Sequence, residues 1–412
     1  MLLRRNALQG LLASPFLLAG NGKERAAGAI QRAAGTRAAG AVALQQAALA
    51  GAVTVNPSND PSGATDTGNI NKALSTGPAV YLSPGAYYID APVTPSSGTS
   101  LFGLGTSPPL PSGTPGGAVI NVVTSAANPF SGSAAVDLSG VREVAIRDLT
   151  IDGAAGPPGL GGILLSGTTA DVRLEDLLIQ SVTGVGVASS AAGGNTVYAK
   201  NVTVHQAGGS GFNCQATDST WTDCLALGCG AQGFFISEGS ENSKWTGCRA
   251  EWSTYNGFYI TGGWSTGNGS GGIEIANCST DRNGQNGLSV DASPGNSPVT
   301  VSNMMLRRDG SSSASSGYAG VLISAAALPV VLSGITCFPG VNDDGSGNES
   351  PQYGLTVTGK PAYVGISNAF LHAVTAGTNN MTTANNCNWR AIVTRTGSTS
   401  TPTAVALVAD SA

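Results

Sequence analysis

Two acidic residues, Glu251 and Asp281, occupy equivalent positions in consecutive copies of a repeated sequence pattern. If the copies stack as parallel strands, the two backbones lie about 4.8 Å apart. Carboxylates held that close do not both ionise cheaply, so the pattern predicts a raised pKa for one of them. A protonated and an ionised carboxyl group side by side provide the acid and the base or nucleophile that glycosidic-bond cleavage requires. Glu251 and Asp281 are therefore the candidate catalytic pair.

A competing interpretation treats the pair as part of a charged surface. Arg282, Arg307 and Arg308 follow in the same and the next copy of the pattern. Their guanidinium groups would neutralise the two carboxylates as a surface ladder, which is the simpler interpretation of the pair taken alone. Arg307 has a second use, because it could hold an acidic sugar or lower the pKa of one carboxyl group.

Aromatic and acidic side chains accompany the pair. Alternation along a strand predicts that Phe235 and Tyr259 face outward if Phe234 and Phe258 face inward. Sugars present apolar C–H faces to aromatic rings, and hydroxyl groups to carboxylates and amides. The pattern therefore predicts a saccharide groove, and its substrate-binding residues are Phe235, Glu238, Trp252, Tyr255, Tyr259, Trp264, Asp291 and Arg307. The alternative is that these aromatic residues cover a neighbouring subunit.

The composition favours a protein of many short strands joined by turns. Of the 412 residues, 59 are glycine and only 10% are charged, whereas a long helical protein needs more Glu, Lys, Leu and Arg. The net charge of -5 and the lack of a basic stripe in the sequence argue against a nucleic-acid partner. No apolar run is long enough to span a bilayer, so we expect no membrane span.

A repeat that runs from about residue 141 to residue 371 must position the candidate side chains. Each copy carries Asn, Asp or Gly at one position, and these residue types most easily adopt the left-handed backbone of a tight corner. The residue after the corner and the residue two before it are apolar in every copy. The predicted corner residues are Asp148, Asp176, Asn201, Asp223, Gly247, Asn277, Asn303, Gly334 and Asn368.

A second landmark is a glycine that precedes a short strand in each copy. One copy has room for three short strands and three turns, too little to bury its own apolar residues. Stacked copies can bury them, with backbone hydrogen bonds from one lap to the next. The pattern therefore predicts a coil of stacked laps, and the landmark glycines are Gly162, Gly186, Gly211, Gly233, Gly257, Gly287, Gly320 and Gly354.

Three segments resemble the opening region of the pectate-lyase-like superfamily, which includes phage tailspikes and polysaccharide depolymerases: AVYLSPGAYYI at 79–89, SLFGLG at 100–105 and VREVAIRDLTIDG at 141–153. The resemblance extends over about residues 53–371. It implies an all-β protein, a right-handed single-stranded parallel β-helix. It does not specify the chemistry, because the superfamily contains lyases, hydrolases, epimerases and binding proteins. The polygalacturonase-type acidic motifs are not found on adjacent strands here.

We expect three regions. Residues 1–52 are predicted to form a helical docking or anchor segment, although residues 1–20 also resemble a twin-arginine export signal. Residues 53–377 are predicted to form the β-helix, with an opening region at 53–140 and regular laps at 141–377. The tail at 378–412 alternates like antiparallel strands and is expected to cap the last edge of the coil or to join subunits.

Two further features receive structural interpretations. Cys224, Cys248 and Cys278 fall in one inward column, which we interpret as a core stack of thiols in preference to a metal or redox ladder. The segment Asn342–Ser350 is rich in oxygen ligands of the kind that Ca²⁺ binds. Its spacing matches no known calcium loop, so an exposed insertion is favoured and no cofactor is predicted.

The resemblance and the candidate groove together suggest a virion protein of the tailspike or tail-fibre kind. Such a protein would bind, and could depolymerise, a bacterial cell-surface polysaccharide during host recognition, as a homotrimer docked on the phage tail through its N-terminus. Two alternatives stay open. One is a secreted, extracellular polysaccharide lyase or glycoside hydrolase of bacterial origin, and the other is a purely structural spike without a ligand.

Overall fold

The computed structural model describes residues 51–106, 117–126, 129–189, 195–237, 239–262, 272–292, 298–313, 315–324, 329–359, 363–379, 387–396 and 403–405. The predicted N-terminal segment 1–52, with the export signal at 1–20, lies outside these ranges except for its last two residues. The chain divides into two units, Met1–Ala52 and Val53–Ala412, and the fold described is that of the second. No helix in the described ranges is long and apolar enough to cross a membrane.

The second unit is a right-handed parallel β-helix, as predicted. Each lap has three faces. The first face contains β1 (Val53–Val55), β2 (Ala79–Leu82), β4 (Ser100–Phe102), β13 (Thr220–Thr222), β16 (Lys244–Thr246), β19 (Ile273–Ala276), β22 (Val299–Ser302) and β25 (Pro329–Ser333). The second face contains β3 (Gly85–Ile89), β5 (Ala118–Val123), β14 (Leu225–Leu227), β17 (Arg249–Glu251), β20 (Ser279–Asp281), β23 (Met305–Arg307) and β26 (Thr336–Phe338).

Long strands run through the corner between these two faces, namely β7 (Ala145–Ala155), β9 (Ala170–Gln180), β11 (Asn195–His205), β28 (Tyr363–Ala373) and β30 (Cys387–Thr396). The third face is a separate sheet of ten parallel strands. Its strands are β6 (Ala134–Asp137), β8 (Gly161–Leu165), β10 (Val187–Ser189), β12 (Phe212–Cys214), β15 (Phe234–Ile236), β18 (Phe258–Gly262), β21 (Leu288–Ala292), β24 (Ala319–Ser324), β27 (Tyr353–Thr358) and β29 (Ala376–Asn379).

The first corner, between the first and second faces, has the predicted backbone. All nine predicted corner residues adopt left-handed conformations, with φ between 52° and 68°. Their side chains stack from lap to lap: the Nδ2 atom of Asn201 donates to Oδ1 of Asp176 at 2.7 Å, and that of Asn303 donates to Oδ1 of Asn277 at 3.3 Å. The corner column is therefore held both by backbone preference and by side-chain hydrogen bonds.

The inside of the coil is filled by the predicted inward columns. Phe212, Phe234 and Phe258 stack face to face, with ring centroids 4.7 and 4.6 Å apart. The thiols of Cys224, Cys248 and Cys278 are buried and form no disulfide, so the core interpretation of this column is confirmed. Burial of these columns supplies the apolar area that stabilises a coil in which each lap contacts only its neighbours.

The landmark glycines are required by close backbone approach between laps. A Cβ atom at Gly233 would lie 2.6 Å from the carbonyl oxygen of Gly257 and 2.6 Å from the Cβ of Ala250. The same clash with the glycine carbonyl of the next lap recurs at 2.5 to 2.9 Å for Gly162, Gly186, Gly211, Gly257, Gly320 and Gly354. These positions therefore require glycine because there is no room for a Cβ atom between the laps, and not because the backbone is left-handed.

Left-handed residues also recur at two further corners, in six laps and in five laps, and neither corner was predicted. The second corner, between the second and third faces, comprises Ser181, Gln206, Gly228, Trp252, Arg282 and Arg308, with φ between 53° and 65°. The third corner comprises Glu143, Asp171, Thr196, Asp218 and Asn242, with φ between 54° and 58°. A left-handed backbone costs a side chain such as tryptophan or arginine about 1–2 kcal/mol. Lap stacking imposes this conformation regardless of residue type, which is why the sequence does not reveal it.

A polar stack lies inside the second corner. The backbone N–H of Ser253 donates to Oδ1 of Asn283 at 3.0 Å, and the Nδ2 of Asn283 donates to Oδ1 of Asp309 at 2.8 Å. Asp309 is fully buried, and the hydroxyl of Thr280 lies 2.5 Å from its Oδ2. Burial raises the pKa of Asp309 to about 7, against the opposing effect of these hydrogen bonds. This stack holds the turn that leads from the second face to the third.

The two ends of the coil are closed in different ways. The helix α1 (Ala64–Thr76) lies at the beginning, where the buried carboxylate of Asp66 accepts hydrogen bonds from the backbone N–H groups of Ser58 and Tyr88 at 2.8 and 2.9 Å. At the other end, β30 pairs in parallel with β28, so the stack continues past the boundary predicted at residue 377. In the described tail, antiparallel pairing occurs between β30 and β31 (Thr403–Val405).

The close contact at the landmark glycines predicts a specific destabilisation. We expect Gly233→Ala to lower the free energy of unfolding by about 1–3 kcal/mol, because the added methyl group overpacks the space between two laps. The matched control is Gly68→Ala in α1, where a Cβ atom would meet nothing within 4 Å. That change should stabilise the protein by up to about 1 kcal/mol through helix propensity. Equal midpoints of thermal unfolding for the two variants would contradict this account of the glycine column.

Candidate functional site

The outward residues of the third face form a continuous column across laps. Asn213, Phe235, Tyr259 and Ser289 pair in register along β12, β15, β18 and β21, as predicted. Their inward neighbours are the stacked core residues, so this column faces away from the core. The rings of Phe235 and Tyr259 are half-buried, with centroids 5.8 Å apart and planes inclined at 46°. Two aromatic rings on adjacent laps thus lie side by side on the outside of the coil.

A second outward row adds polar groups beside the rings. Gln215 donates through Nε2 to the hydroxyl of Ser237 at 2.7 Å. Asp291 is exposed, pairs in register with Thr261, and has its Oδ2 atom 3.5 Å from the hydroxyl of Tyr259. The third face therefore combines aromatic rings with hydroxyl, amide and carboxylate groups.

Two polar atoms of the outward column have no partner within the described ranges, Oδ1 of Asn213 and Oγ1 of Thr356 in β27. The Oδ1 atom of Asn213 is buried and accepts no hydrogen bond there. Its residue is next to Phe235 in the outward column. A buried carbonyl oxygen without a donor is costly, so a ligand hydroxyl or amide that donates to it would be bound favourably.

The second corner forms one border of the third face. Trp252 is 42% exposed and adopts a left-handed backbone with φ 58°. Tyr255, in the same turn, is 44% exposed. Both residues lie in the turn of the chain between Glu251 on the second face and Phe258 on the third face. A large aromatic residue in a strained conformation, left open to solvent, is typical of a residue retained for recognition.

The candidate catalytic pair lies on the second face. Glu251 and Asp281 pair in register on adjacent laps, as predicted, and their side chains are 18% and 15% exposed. Each carboxylate is bound by arginine. Arg249 forms an ion pair with Glu251, and Arg308 donates two hydrogen bonds to Asp281 at 2.7 and 2.6 Å. Arg307 lies 3.3 Å from the same carboxylate. These contacts favour the alternative interpretation of the pair as a neutralised ladder.

Arg282 binds a loop and not the carboxylates of Glu251 and Asp281, which the ladder interpretation predicted as its partners. Its side chain is buried and points into the loop 339–350, where it donates to the carbonyl of Asn348 at 2.8 Å and to the hydroxyl of Ser350 at 3.1 Å. It also hydrogen-bonds the side chain of Asn342. Burial lowers the pKa of the Arg282 guanidinium from its ordinary value. One arginine thus holds an exposed loop against the second corner.

Arg308 holds the same loop from the next lap. It donates to the carbonyl of Val341 at 3.1 Å and forms an ion pair with Asp343. Hydrogen bonding to Asp281 raises the pKa of Arg308 above its ordinary value. Within the loop, Asp344 accepts from the backbone and hydroxyl of Ser346 at 2.9 and 2.6 Å. The acidic side chains once considered for calcium therefore have arginine and serine partners. In the described ranges, no three His, Cys, Asp or Glu side chains converge as metal ligands.

The predicted residues therefore fall into two neighbouring sets. Phe235, Tyr259 and Asp291 lie on the third face, with Trp252 and Tyr255 on its border. Glu251, Asp281 and Arg307 lie on the second face, beyond the corner. The two remaining predicted residues, Glu238 and Trp264, lie outside the described ranges. Sequence reasoning missed Gln215 and the arginine contacts to the loop; the available signal was the consecutive pairs Asp281-Arg282 and Arg307-Arg308 beside a polar insertion.

Two concave sites elsewhere on the coil lack this combination of groups. A concavity of about 390 Å³ between β1 and α1 is lined by Val53, Thr54, Val55, Asn56, Asn69, Lys72, Ala73 and Thr76. Another of about 260 Å³ is lined by Asn242, Ser243, Lys244, Gly272, Ile273, Glu274 and Thr300, and an ion pair of 3.1 Å joins its lysine to its glutamate. Neither contains an aromatic ring, so the third face is the better candidate for a sugar-binding site.

Comparison with solved structures finds the same fold in several carbohydrate-related proteins. The A-module of the mannuronan C-5 epimerase AlgE6 of Azotobacter vinelandii aligns with a TM-score of 0.51 and 18% identity, over 81% of this chain and 96% of that one. Tailspike protein 2 of bacteriophage CBA120, in its enzymatically active domain, aligns with a TM-score of 0.59 and 16% identity, over 82% of this chain and 52% of that one.

A second tailspike, gp42 of the Acinetobacter phage vb_AbaP_AS12, aligns with a TM-score of 0.51 and 15% identity, over 87% of this chain and 66% of that one. At these identities the alignments establish the fold alone. Comparison with curated proteins finds no match.

A family profile matches the sequence over a range that includes the three opening segments of the predicted resemblance. The profile described as "Rhamnogalacturonase A/epimerase, pectate lyase-like" matches residues 20–283, which is more than half of the chain. The matched residues include α1, the first laps and the aromatic column of the third face. The chain therefore belongs to the rhamnogalacturonase A/epimerase, pectate lyase-like family.

Proposed function

We propose that the protein binds a polysaccharide along its third face. The observation that carries the proposal is the outward pair Phe235 and Tyr259 on adjacent laps, bordered by the exposed rings of Trp252 and Tyr255. Aromatic rings left outside a coil whose interior is already full have no role in its core packing. A sugar chain that runs along the coil axis would place successive rings over them and its hydroxyl groups beside Asp291.

Within this proposal, the protein is a tailspike-like component of a virion that binds a bacterial cell-surface polysaccharide during host recognition. The fold shared with two phage tailspikes supports that assignment. Residues 1–52 would then dock on the phage tail, and the assembly would be a homotrimer. The alternative is a secreted polysaccharide lyase or hydrolase, which the fold shared with an epimerase module also supports. A mature N-terminus at Met1 favours the first, and one near Asn21 the second.

The binding proposal predicts a loss of affinity when the outward rings are removed. Trp252→Ala combined with Tyr259→Ala should weaken binding to a bacterial polysaccharide at least about tenfold, because two of the four rings proposed to contact sugars are lost. The measurement is binding on an array of bacterial surface polysaccharides. Tyr198→Ala is the matched control, since Tyr198 is 39% exposed but lies in β11 on the first face. Equal array signals from wild type and the double variant would remove the groove.

Hydrolysis of the bound chain is the second candidate function. The observation that favours it is the register of Glu251 and Asp281, which puts two carboxylates on adjacent laps next to the corner that carries Trp252. In this proposal Arg249 and Arg308 hold the two carboxylates in position. Displacement of either arginine by substrate would leave the pair free to act as acid and as base or nucleophile.

The hydrolysis proposal predicts reducing ends from a polysaccharide that the protein binds. Glu251→Gln and Asp281→Asn should each lower the rate at which reducing ends are released at least about a hundredfold, because each removes one member of the pair. Both variants should still bind the polysaccharide. Glu274→Gln, on the first face, is the control and should cleave at the wild-type rate. Release that continues unchanged in both variants excludes this pair, and no release by the wild type excludes the second function.

A further inference from the structure

We infer that the third face selects a polysaccharide without negative charge, an inference that rests on the proposed binding function. The ten strands of this face contain only two charged residues, Asp137 and Asp291, and both are acidic. Every other side chain on these strands is apolar, aromatic, hydroxylic or amidic. A face built in this way offers hydrogen bonds and ring contacts but no cation for a uronate, sulfate or phosphate group.

The basic residues in the laps around the aromatic column bind partners that lie away from the third face. Between Phe212 and Ala292 the sequence contains three of them. Lys244 pairs with Glu274 at 3.1 Å on the first face, and Arg249 pairs with Glu251 on the second. Arg282 is buried under the loop 339–350.

Acidic residues outnumber the basic ones in the same laps. The span from 212 to 292 contains eight, namely Asp218, Asp223, Glu238, Glu241, Glu251, Glu274, Asp281 and Asp291. The segments 263–271 and 293–297, which follow β18 and β21 but lie outside the described ranges, contain no charged residue in their sequences. Three of these acids, Glu251, Glu274 and Asp281, are ion-paired. Negative charge beside the third face comes from Asp291 on the face and from Asp218 and Glu241 at the third corner, and no basic residue on the ten described strands offsets it.

Charge of this sign discriminates against polyanions. Like charges a few ångströms apart repel each other even in water, and the repulsion repeats for each anionic sugar laid along the coil. An uncharged chain meets no such repulsion. It can donate hydroxyl or amide hydrogens to Oδ1 of Asn213 and to Asp291, and it can place its C–H faces on Phe235 and Tyr259. Cleavage of a chain that contains no uronic acid would be hydrolysis, since β-elimination needs the acidic proton beside a uronic carboxyl group.

The inference is tested with matched glycans that differ only in charge. Uronate-containing bacterial surface polysaccharides are printed on an array in native form and after reduction of their carboxyl groups to alcohols, beside naturally neutral polysaccharides. We expect binding to neutral or reduced chains, with at least about tenfold weaker binding to the native form of any reduced chain that binds. Binding should change little between low and high salt, because ion pairs contribute nothing to it.

Two results overturn the inference in distinguishable ways. Binding to native uronate chains as strong as, or stronger than, binding to their reduced forms contradicts charge selection but leaves the polysaccharide function standing. No binding to any chain removes the proposed function itself. Asp291→Lys provides a second readout. This change should reduce the difference in binding between the native and the carboxyl-reduced form of a polysaccharide. Glu349→Lys, the same change of charge on an exposed loop outside the third-face strands, should leave the preference unchanged.

Discussion

The structure depends on the close, in-register stacking of one lap on the next. Backbone hydrogen bonds join the laps strand by strand, and the glycine column brings the third-face backbones so near that a methyl group does not fit. The first corner turns the chain through a left-handed residue in nine successive laps, and the second and third corners do so in six and in five laps. Since each lap contacts only its neighbours, this repeated geometry supports the fold, and it also makes neighbours of side chains that are far apart in the sequence.

Stacking also decides where chemistry can occur. The interior is filled by buried apolar residues and stacked rings, so only outward side chains are available to a ligand. On the second face, the outward acids Glu251 and Asp281 are paired with arginines, and one of these, Arg308, also holds the loop 339–350 together with the buried Arg282. The third face carries outward rings, a buried acceptor without a partner and almost no charge. The second face therefore braces the corner, whereas the third face carries the outward rings of the proposed glycan site.

Much of the fold could be predicted from residue types, because the first corner and the glycine column demand particular residues. Asn, Asp and Gly mark the first corner, and apolar residues flank it in every lap. The second and third corners were missed, since residues as different as Trp252, Arg282 and Glu143 adopt the same left-handed backbone there under the constraint of stacking. The outward position of Phe235 and Tyr259 followed from strand alternation alone.

Contacts between distant segments were beyond prediction from the sequence. Arg282 and Asn342 are 60 positions apart, and nothing in either residue type specifies the other as its partner. The same holds for the buried Asp309, the one acidic residue in a column that otherwise contains Val182, Ala207, Cys229, Ser253 and Asn283. Such partners become visible only when the length and path of an inserted loop are known.

The most direct test of this account is the structure of the protein with a bound polysaccharide captured from the array. The account predicts sugar rings over Phe235 and Tyr259, with the chain running from lap to lap along the third face. A glycan bound away from the third face, with no sugar ring over Phe235 or Tyr259, would contradict it, as would a third face covered by another copy of the protein.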